Sequence, residues 1–294
     1  MGSLTVLDGG LFTTIQDGGR EGFRKFGVPV SGVMDEEAYL SANKLVDNSK
    51  GSPVLECTLK GGKYRFDSRA VIAITGALMS PKINGNEVEV NTSVLVEKGS
   101  ILELGFAKKG CRTYIAIQGR WNIKRVMGSY STYTQGNFGG FEGRTLKKED
   151  MLKWEDSSNV SDFKKSTLPK DQIPYYSSKI TAEFVPGPEW NWLSKKEQEK
   201  FFSSSFNVNS KSNRMGIRLD SEEPVSINNL DMRSSGVIPG IIQLPPGGNP
   251  IILMKDGQTV GGYPRIGKIL DVHLNRIAQL PPNGTIRFKK SEGF

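Results

Sequence analysis

Short apolar runs, broken by glycines and polar turns, dominate the chain. In the first half they fall at Leu4–Leu7, Val54–Leu59, Val71–Thr75, Ser93–Glu97, Ile101–Phe106 and Arg112–Gln118. Runs of this length, rich in β-branched residues, predict strands. Within the last of them Thr113, Ile115 and Ile117 alternate with Tyr114, Ala116 and Gln118, which predicts one apolar and one mixed face. Ser93–Val96 and Ile101–Leu104 flank the turn residues Lys98-Gly99-Ser100 and read as a hairpin; Asn84-Gly85 reads as a type I′ turn. Helical periodicity is rarer. Asp35 is placed to cap a helix running to Asp47, with Glu36 and Glu37 in its first turn and Ala38, Ala42, Leu45 and Val46 on one side. A largely polar helix is predicted over Leu193–Phe202, and another over Asp271–Gln279, with Val272, Ile277 and Leu280 facing a core.

Residues 156–177 are rich in Ser, Asp and Lys and include prolines, the composition of a linker. Strand character resumes at Ile180–Val185 and continues through Phe206–Val208, Ile217–Leu219, Val225–Ile227, Ile241–Leu244, Ile251–Met254 and Thr285–Phe288. The pattern predicts a mainly β protein of barrel or sandwich architecture, in two domains over 1–155 and 178–294.

Composition narrows the chemistry. The chain holds 34 glycines without a collagen-like period, as tight turns between strands require. It has two cysteines and one histidine, too few ligands for a structural zinc site or a histidine metal cluster. His273 lies beside Asp271 with no nucleophile elbow in the chain, so it reads as a structural or surface residue. Two cysteines without a framework suit a reducing compartment. With no membrane-spanning apolar run and no leader-like segment, the expectation is a cytoplasmic protein. The net charge of +8 is spread over scattered lysine pairs rather than a basic helix or run, which argues against nucleic acid as a partner.

Three segments remain as candidate chemistry. The first, Gln16-Asp17-Gly18-Gly19-Arg20, puts amide, carboxylate and guanidinium groups in one turn-rich loop; an Asp17–Arg20 ion pair closing the turn is the plainer alternative. In the second, Ser212–Leu219, Arg214 and Arg218 share a face if the segment is extended, and either grip an anion together or pair with Asp220, Glu222 or Glu223. The third, Gly236–Leu270, sets Gln243 on an apolar strand and gathers Asp256, Gln258, Thr259, Tyr263 and Arg265 around open glycine backbone. Within it, Gly262 to Lys268 copies most of a Walker A loop. Ile269 stands where the Mg²⁺-binding hydroxyl belongs, which excludes an independent ATP site.

In order and spacing, TIQDGGREGFRKFGVPVSGVMD, SANKLVDNSKGSPVLECTLKGG, ITGA, GSYSTY, SNRMGIRL and IIQLPPGGNPIILMKDGQTVGGYPRIG resemble the allophanate hydrolase subunit 2 family, also known as the biotin-dependent carboxyltransferase family or the family of 5-oxoprolinase C subunits. The resemblance implies two cyclophilin-like β-barrel domains. It implies a C subunit that works with a directly bound B subunit and with an A subunit to open 5-oxoproline to glutamate, using ATP with Mg²⁺ shared by the complex. The alternatives are the carboxyltransferase component of a biotin-dependent urea or amide carboxylase, with biotin on another chain, and a noncatalytic protein that binds a kinase-inhibitor-like B subunit. By the same resemblance Asp17, Gln243, Asp256 and Thr259 are candidate catalytic residues, and Gln16, Arg20, Arg214, Arg218, Gln258, Tyr263 and Arg265 candidate substrate binders. The chain departs from the family pattern at Gly257, Val260 and Arg265, where members commonly have Arg, Thr and Lys, and at Arg120, where a glycine is usual.

Overall fold

The computed structural model describes residues 1–155, 163–227 and 232–292. The protein is mainly β, with three short α-helices among the described residues: α1 (Glu36–Leu45), α2 (Lys195–Ser203) and α3 (Asp271–Ala278). None of these helices is long and apolar enough to cross a membrane. The chain divides into two compact units, one of Met1–Arg20 with Ser31–Tyr176, the other of Glu21–Val30 with Ser177–Phe294. Of the segment read as a linker, 156–162 lies outside the described residues. Residues 163–176 group with the first unit, where Leu168 is buried and the Tyr176 hydroxyl donates to Asp35 Oδ2 at 2.8 Å.

The first unit contains two antiparallel sheets. One has five strands in the order Phe12–Gln16, Val54–Thr58, Lys109–Ile117, Ala70–Leu78 and Ser93–Val96. Its central strands are buried on both faces, which explains their near-continuous apolar sequence. Ile72, Ile74, Ile115 and Ile117 enter the core shared with Leu4, Val6 and Trp154. The alternating residues Val71, Ala73, Tyr114 and Ala116 face Ala38, Tyr39 and Ala42 of α1. The face expected to be mixed is therefore sealed by a helix. Asp35 caps that helix, its Oδ1 accepting from Ala38 N at 3.2 Å, as its position predicts.

The second sheet has seven strands, with Gly2–Asp8 between Met151–Glu155 and Lys63–Phe66. Asn84 and Gly85 both have positive φ, 50° and 84°, and join Lys82–Ile83 to Asn86–Glu87 in the I′ geometry. The hairpin expected around Lys98-Gly99-Ser100 does not form. Ser93–Val96 pairs with Ala70–Leu78, whereas Ile101–Glu103 pairs with Lys63–Phe66 in the other sheet. The turn, with Gly99 at φ +85°, carries the chain from one sheet to the other.

The second unit is built on a closed seven-stranded barrel. Around it run Lys179–Pro186, Arg265–Ile269, Ile241–Gln243, Ile251–Leu253, Gly216–Asp220, Phe206–Val208 and Thr285–Lys290, the last pairing in parallel with the first. Closure removes the free edges on which strands of different molecules pair. Phe184, Phe201, Phe206 and Phe288 pack as an aromatic cluster, Phe201 stacked on Phe288 at 4.7 Å, so the polar-looking α2 is anchored by one buried phenylalanine. In α3 Ile277 is buried, as is Leu280 just beyond it, but Val272 is exposed, contrary to the predicted face. No strand forms at Val225–Ile227.

Candidate functional site

The candidate residues fall into two groups, each within its own unit. In the first unit, Gln16 ends the strand Phe12–Gln16 with its side chain fully buried. Its Nε2 donates to Thr14 Oγ1 at 2.9 Å and to Thr132 O at 3.2 Å, while its Oε1 has no hydrogen-bond partner among the described residues. Asp17 follows and is the hub of a hydroxyl-rich loop. Its Oδ1 accepts from Gly19 N at 2.9 Å, Ser129 Oγ at 2.6 Å and Ser131 Oγ at 2.5 Å; its Oδ2 accepts from Tyr130 N at 2.7 Å. Such a set satisfies the desolvated carboxylate and locks the Ser129–Thr132 backbone against the Asp17 loop.

Arg20 is also buried, donating through Nη2 to Ser131 O and lying over the Phe138 ring with its guanidinium carbon 4.9 Å from the centroid. Gly139 makes room for it, since a Cβ there would lie 2.9 Å from Arg20 Nη2. Asp17 and Arg20 thus converge on the same Ser129–Ser131 segment. Spacing alone does not single out Ser129, Ser131 and Thr132, although they belong to the GSYSTY motif.

A second buried network stands beside α1. Glu56 Oε2 accepts from Met34 N at 2.8 Å and from the Tyr114 hydroxyl at 2.9 Å, and that hydroxyl accepts from Asp35 N at 2.8 Å. Burial pushes the Tyr114 phenol far above its usual value, and the Glu56 and Asp35 carboxylates raise it further. The signal in the sequence is a glutamate within the buried strand Val54–Thr58.

In the second unit, Arg214 and Asp256 form a two-pronged ion pair, Nε to Oδ2 at 2.8 Å and Nη2 to Oδ1 at 3.0 Å. Arg214 precedes the strand Gly216–Asp220 rather than lying in it, so the expected sharing of a face with Arg218 does not occur. Arg214 is buried against Asp256, and Arg218 is exposed. Gln243 is buried, its Oε1 accepting from Gln258 Nε2 at 3.0 Å and its Nε2 donating to Tyr263 O at 3.4 Å. This pair of amides meets the demand of a polar group on an apolar strand. Gly261 packs against it, and a Cβ there would lie 2.6 Å from Gln243 Nε2. The Tyr263 side chain is exposed.

Arg265 is held by Glu189, through Nε at 2.9 Å and Nη2 at 2.8 Å, with its backbone N–H also donating to that carboxylate at 2.9 Å. These bonds hold the Glu189 carboxyl below its usual range and raise the Arg265 guanidinium. Arg265 Nη1 reaches Gly236 O at 3.4 Å, and the next residue, Val237, donates its N–H to Thr259 O at 3.0 Å and accepts from Arg24 Nη2. The 235–237 segment therefore connects Arg24, Thr259 and Arg265. Glu189 lies in none of the motifs quoted above, and Arg24, although within TIQDGGREGFRKFGVPVSGVMD, is not singled out by its spacing.

Other candidate chemistry falls away on geometry. Gly267, inside the Walker-like stretch, lies in the strand Arg265–Ile269 against Phe184, and Lys268 Nζ donates to Ile269 O at 2.8 Å and Asp271 Oδ1 at 2.6 Å. A strand with its lysine so engaged is not a phosphate cradle. Both cysteines are buried, and burial pushes the Cys57 thiol up, away from the thiolate a nucleophile needs.

Residues 26–290 match the carboxyltransferase domain family, subdomains A and B, and the chain belongs to this family. It is 35% identical to the C subunit of 5-oxoprolinase from Escherichia coli (strain K12) over 97% of this chain and 90% of that protein. It is 32% identical to the corresponding C subunit of Haemophilus influenzae 5-oxoprolinase, again over 97% of this chain and 90% of the relative. Among solved structures, urea amidolyase of K. lactis superposes with a TM-score of 0.90 at 32% identity over 97% of this chain. The chain spans only 18% of that much longer enzyme.

Proposed function

We propose that the protein is the C subunit of an ATP-dependent 5-oxoprolinase that opens 5-oxo-L-proline to L-glutamate together with the A and B subunits of the complex. The observation that carries this reading is the near full-length similarity to the C subunits of two 5-oxoprolinases, which this chain matches over 90% of their length. The buried polar groups converging on Asp256–Arg265 support it. Arginines hold the substrate's anionic oxygens. Gln243, Thr259 and backbone amides polarise the lactam carbonyl, and Asp256 of the same unit handles a proton. Its carboxylate is engaged by Arg214, so taking the proton means giving up one of those bonds. ATP with Mg²⁺ is assigned to the complex, because the Walker-like stretch of this chain runs into a barrel strand.

A second reading, the carboxyltransferase component of a biotin-dependent urea or amide carboxylase, is favoured by the superposition on urea amidolyase. The discriminating experiment mixes purified A, B and C subunits and measures glutamate formation and ATP hydrolysis that depend on 5-oxoproline. Activity that requires this chain supports the first reading. Full activity without it removes the catalytic role and leaves a regulatory one. Transfer of carboxyl groups from carboxybiotin to urea, with no turnover of 5-oxoproline, establishes the second.

A further inference from the structure

A cavity of about 370 Å³ in the first unit, near the small end of ligand pockets, is lined by none of the candidate residues described above, although its wall residue Tyr130 also donates its N–H to Asp17 Oδ2. Its wall includes Asp47, Gln118, Arg120, Trp121, Arg125 and Tyr130. The two arginines and the aspartate have no ion-pair partner among the described residues, although Arg120 stands opposite Glu155 in the sheet register. Arg125 lies over the ring of Tyr130, 4.6 Å from its centroid. A guanidinium steadied on an aromatic face keeps its N–H fork for an anion.

The frame around these charges is fixed. Asp47 follows α1 at φ +56°, with its N–H bonded to Lys44 O at 3.2 Å. Asn48 ties the two walls together, accepting from Gly119 N at 3.1 Å and donating to Ile117 O at 2.9 Å. Two cations and one anion do not suit a simple inorganic anion, which Asp47 would repel. They complement a ligand with two carboxylates and one ammonium.

We propose that this cavity binds an acidic α-amino acid, its carboxylates held by Arg120 and Arg125 and its ammonium by Asp47. The match is one of charge and does not depend on the proposed reaction. If that reaction holds, the site is one where the product glutamate acts back on the protein that helps to form it.

Isothermal titration of the full chain with L-glutamate, glutarate and inorganic phosphate tests the site without any assay of turnover. Glutamate is expected to bind, with glutarate, which lacks the ammonium, weaker by about tenfold or more. Arg120→Gln and Arg125→Ala should each weaken glutamate by about tenfold, and Asp47→Asn should erase the preference for glutamate over glutarate. These charges are on the surface, so the variants are expected to fold, which a thermal melt checks. The proposal is overturned if glutamate shows no binding at about 10 mM, or if it binds equally well to the arginine variants. It is overturned equally if phosphate and glutarate bind as tightly as glutamate, the behaviour of a surface that reads negative charge alone.

Discussion

Arg214 and Asp256 meet along parallel edges, with hydrogen bonds of 2.8 and 3.0 Å and side chains only 6% and 4% exposed. The backbone repeats the link, Asp256 N donating to Arg214 O at 2.9 Å. Side chains and main chain therefore fasten the loop after the strand Ile251–Leu253 to the residues before Gly216–Asp220. Losing the carboxylate takes both of these side-chain bonds from a buried guanidinium. Asp256→Ala is expected to lower unfolding free energy by about 3–5 kcal/mol. The double change Arg214→Met with Asp256→Leu should cost less than either single change, because no charge is left uncompensated. Urea denaturation of the four proteins checks both statements.

Asp17 presents a different test, because its carboxylate serves four donors at once. Asp17→Asn keeps one acceptor oxygen and turns an NH₂ toward groups that also donate. A loss of about 1.5–3 kcal/mol is expected, in the range for hydrogen bonds to a charged group. The local signature is faster hydrogen exchange at the Tyr130 amide, which loses its acceptor. If exchange there is unchanged while stability falls, the clamp on this loop is not the source of the loss.

The Glu189–Arg265 pair makes part of the stability acid-sensitive. The Glu189 carboxyl is held below its ordinary value, chiefly by hydrogen bonds from the Arg265 guanidinium. A carboxyl with a depressed folded-state pKa contributes fully above its unfolded value, about 4.3, and loses that contribution as pH falls through the folded value. Glu189→Gln should therefore melt below the native protein near pH 7, and the gap should close toward about pH 3. A gap that stays constant across the acid range would show that the carboxylate charge is not responsible.

Arg218 is exposed, with its backbone N–H bonded to Ser212 Oγ at 3.0 Å. Arg218→Ala is expected to change stability by no more than about 0.5 kcal/mol. In the reconstituted mixture of A, B and C subunits it should raise KM for 5-oxoproline about tenfold with little change in kcat, the pattern for loss of a uniform binding contact. An unchanged KM removes this arginine from the substrate site.

Strand-rich architecture is legible because side-chain alternation is a local property, and the Asp35 cap and the Asn84-Gly85 turn are legible for the same reason. What escapes local reading is partner choice. Ser93–Val96 and Ile101–Glu103 look like neighbours across Gly99, yet each finds its partner in a different sheet, where distant apolar residues offer more burial than a short hairpin does. The candidate site divides along the same line. Gln16, Asp17, Gln243 and Asp256 are buried polar residues, and their positions among glycines mark them. Their partners do not announce themselves: Ser129 and Ser131 lie far along the chain from Asp17, and Glu189 from Arg265. The spacing of Arg214 and Arg218 misleads because the strand begins at Gly216, after the first of them.

The parallel pairing of Lys179–Pro186 with Thr285–Lys290 has a bearing on how the protein is made. The barrel's opening strand leaves the ribosome long before its closing strand exists, and Phe206–Val208 also waits for Thr285–Lys290 as a neighbour. Until that last segment emerges, two strand edges stay open and Phe288 is missing from its place beside Phe184, Phe201 and Phe206. Closure joins residues far apart in the chain, so it is a late and slow event during synthesis, paced by loop entropy rather than by local propensity. A nascent chain stalled shortly before Thr285 would expose this unfinished rim to chaperones and to other copies of itself.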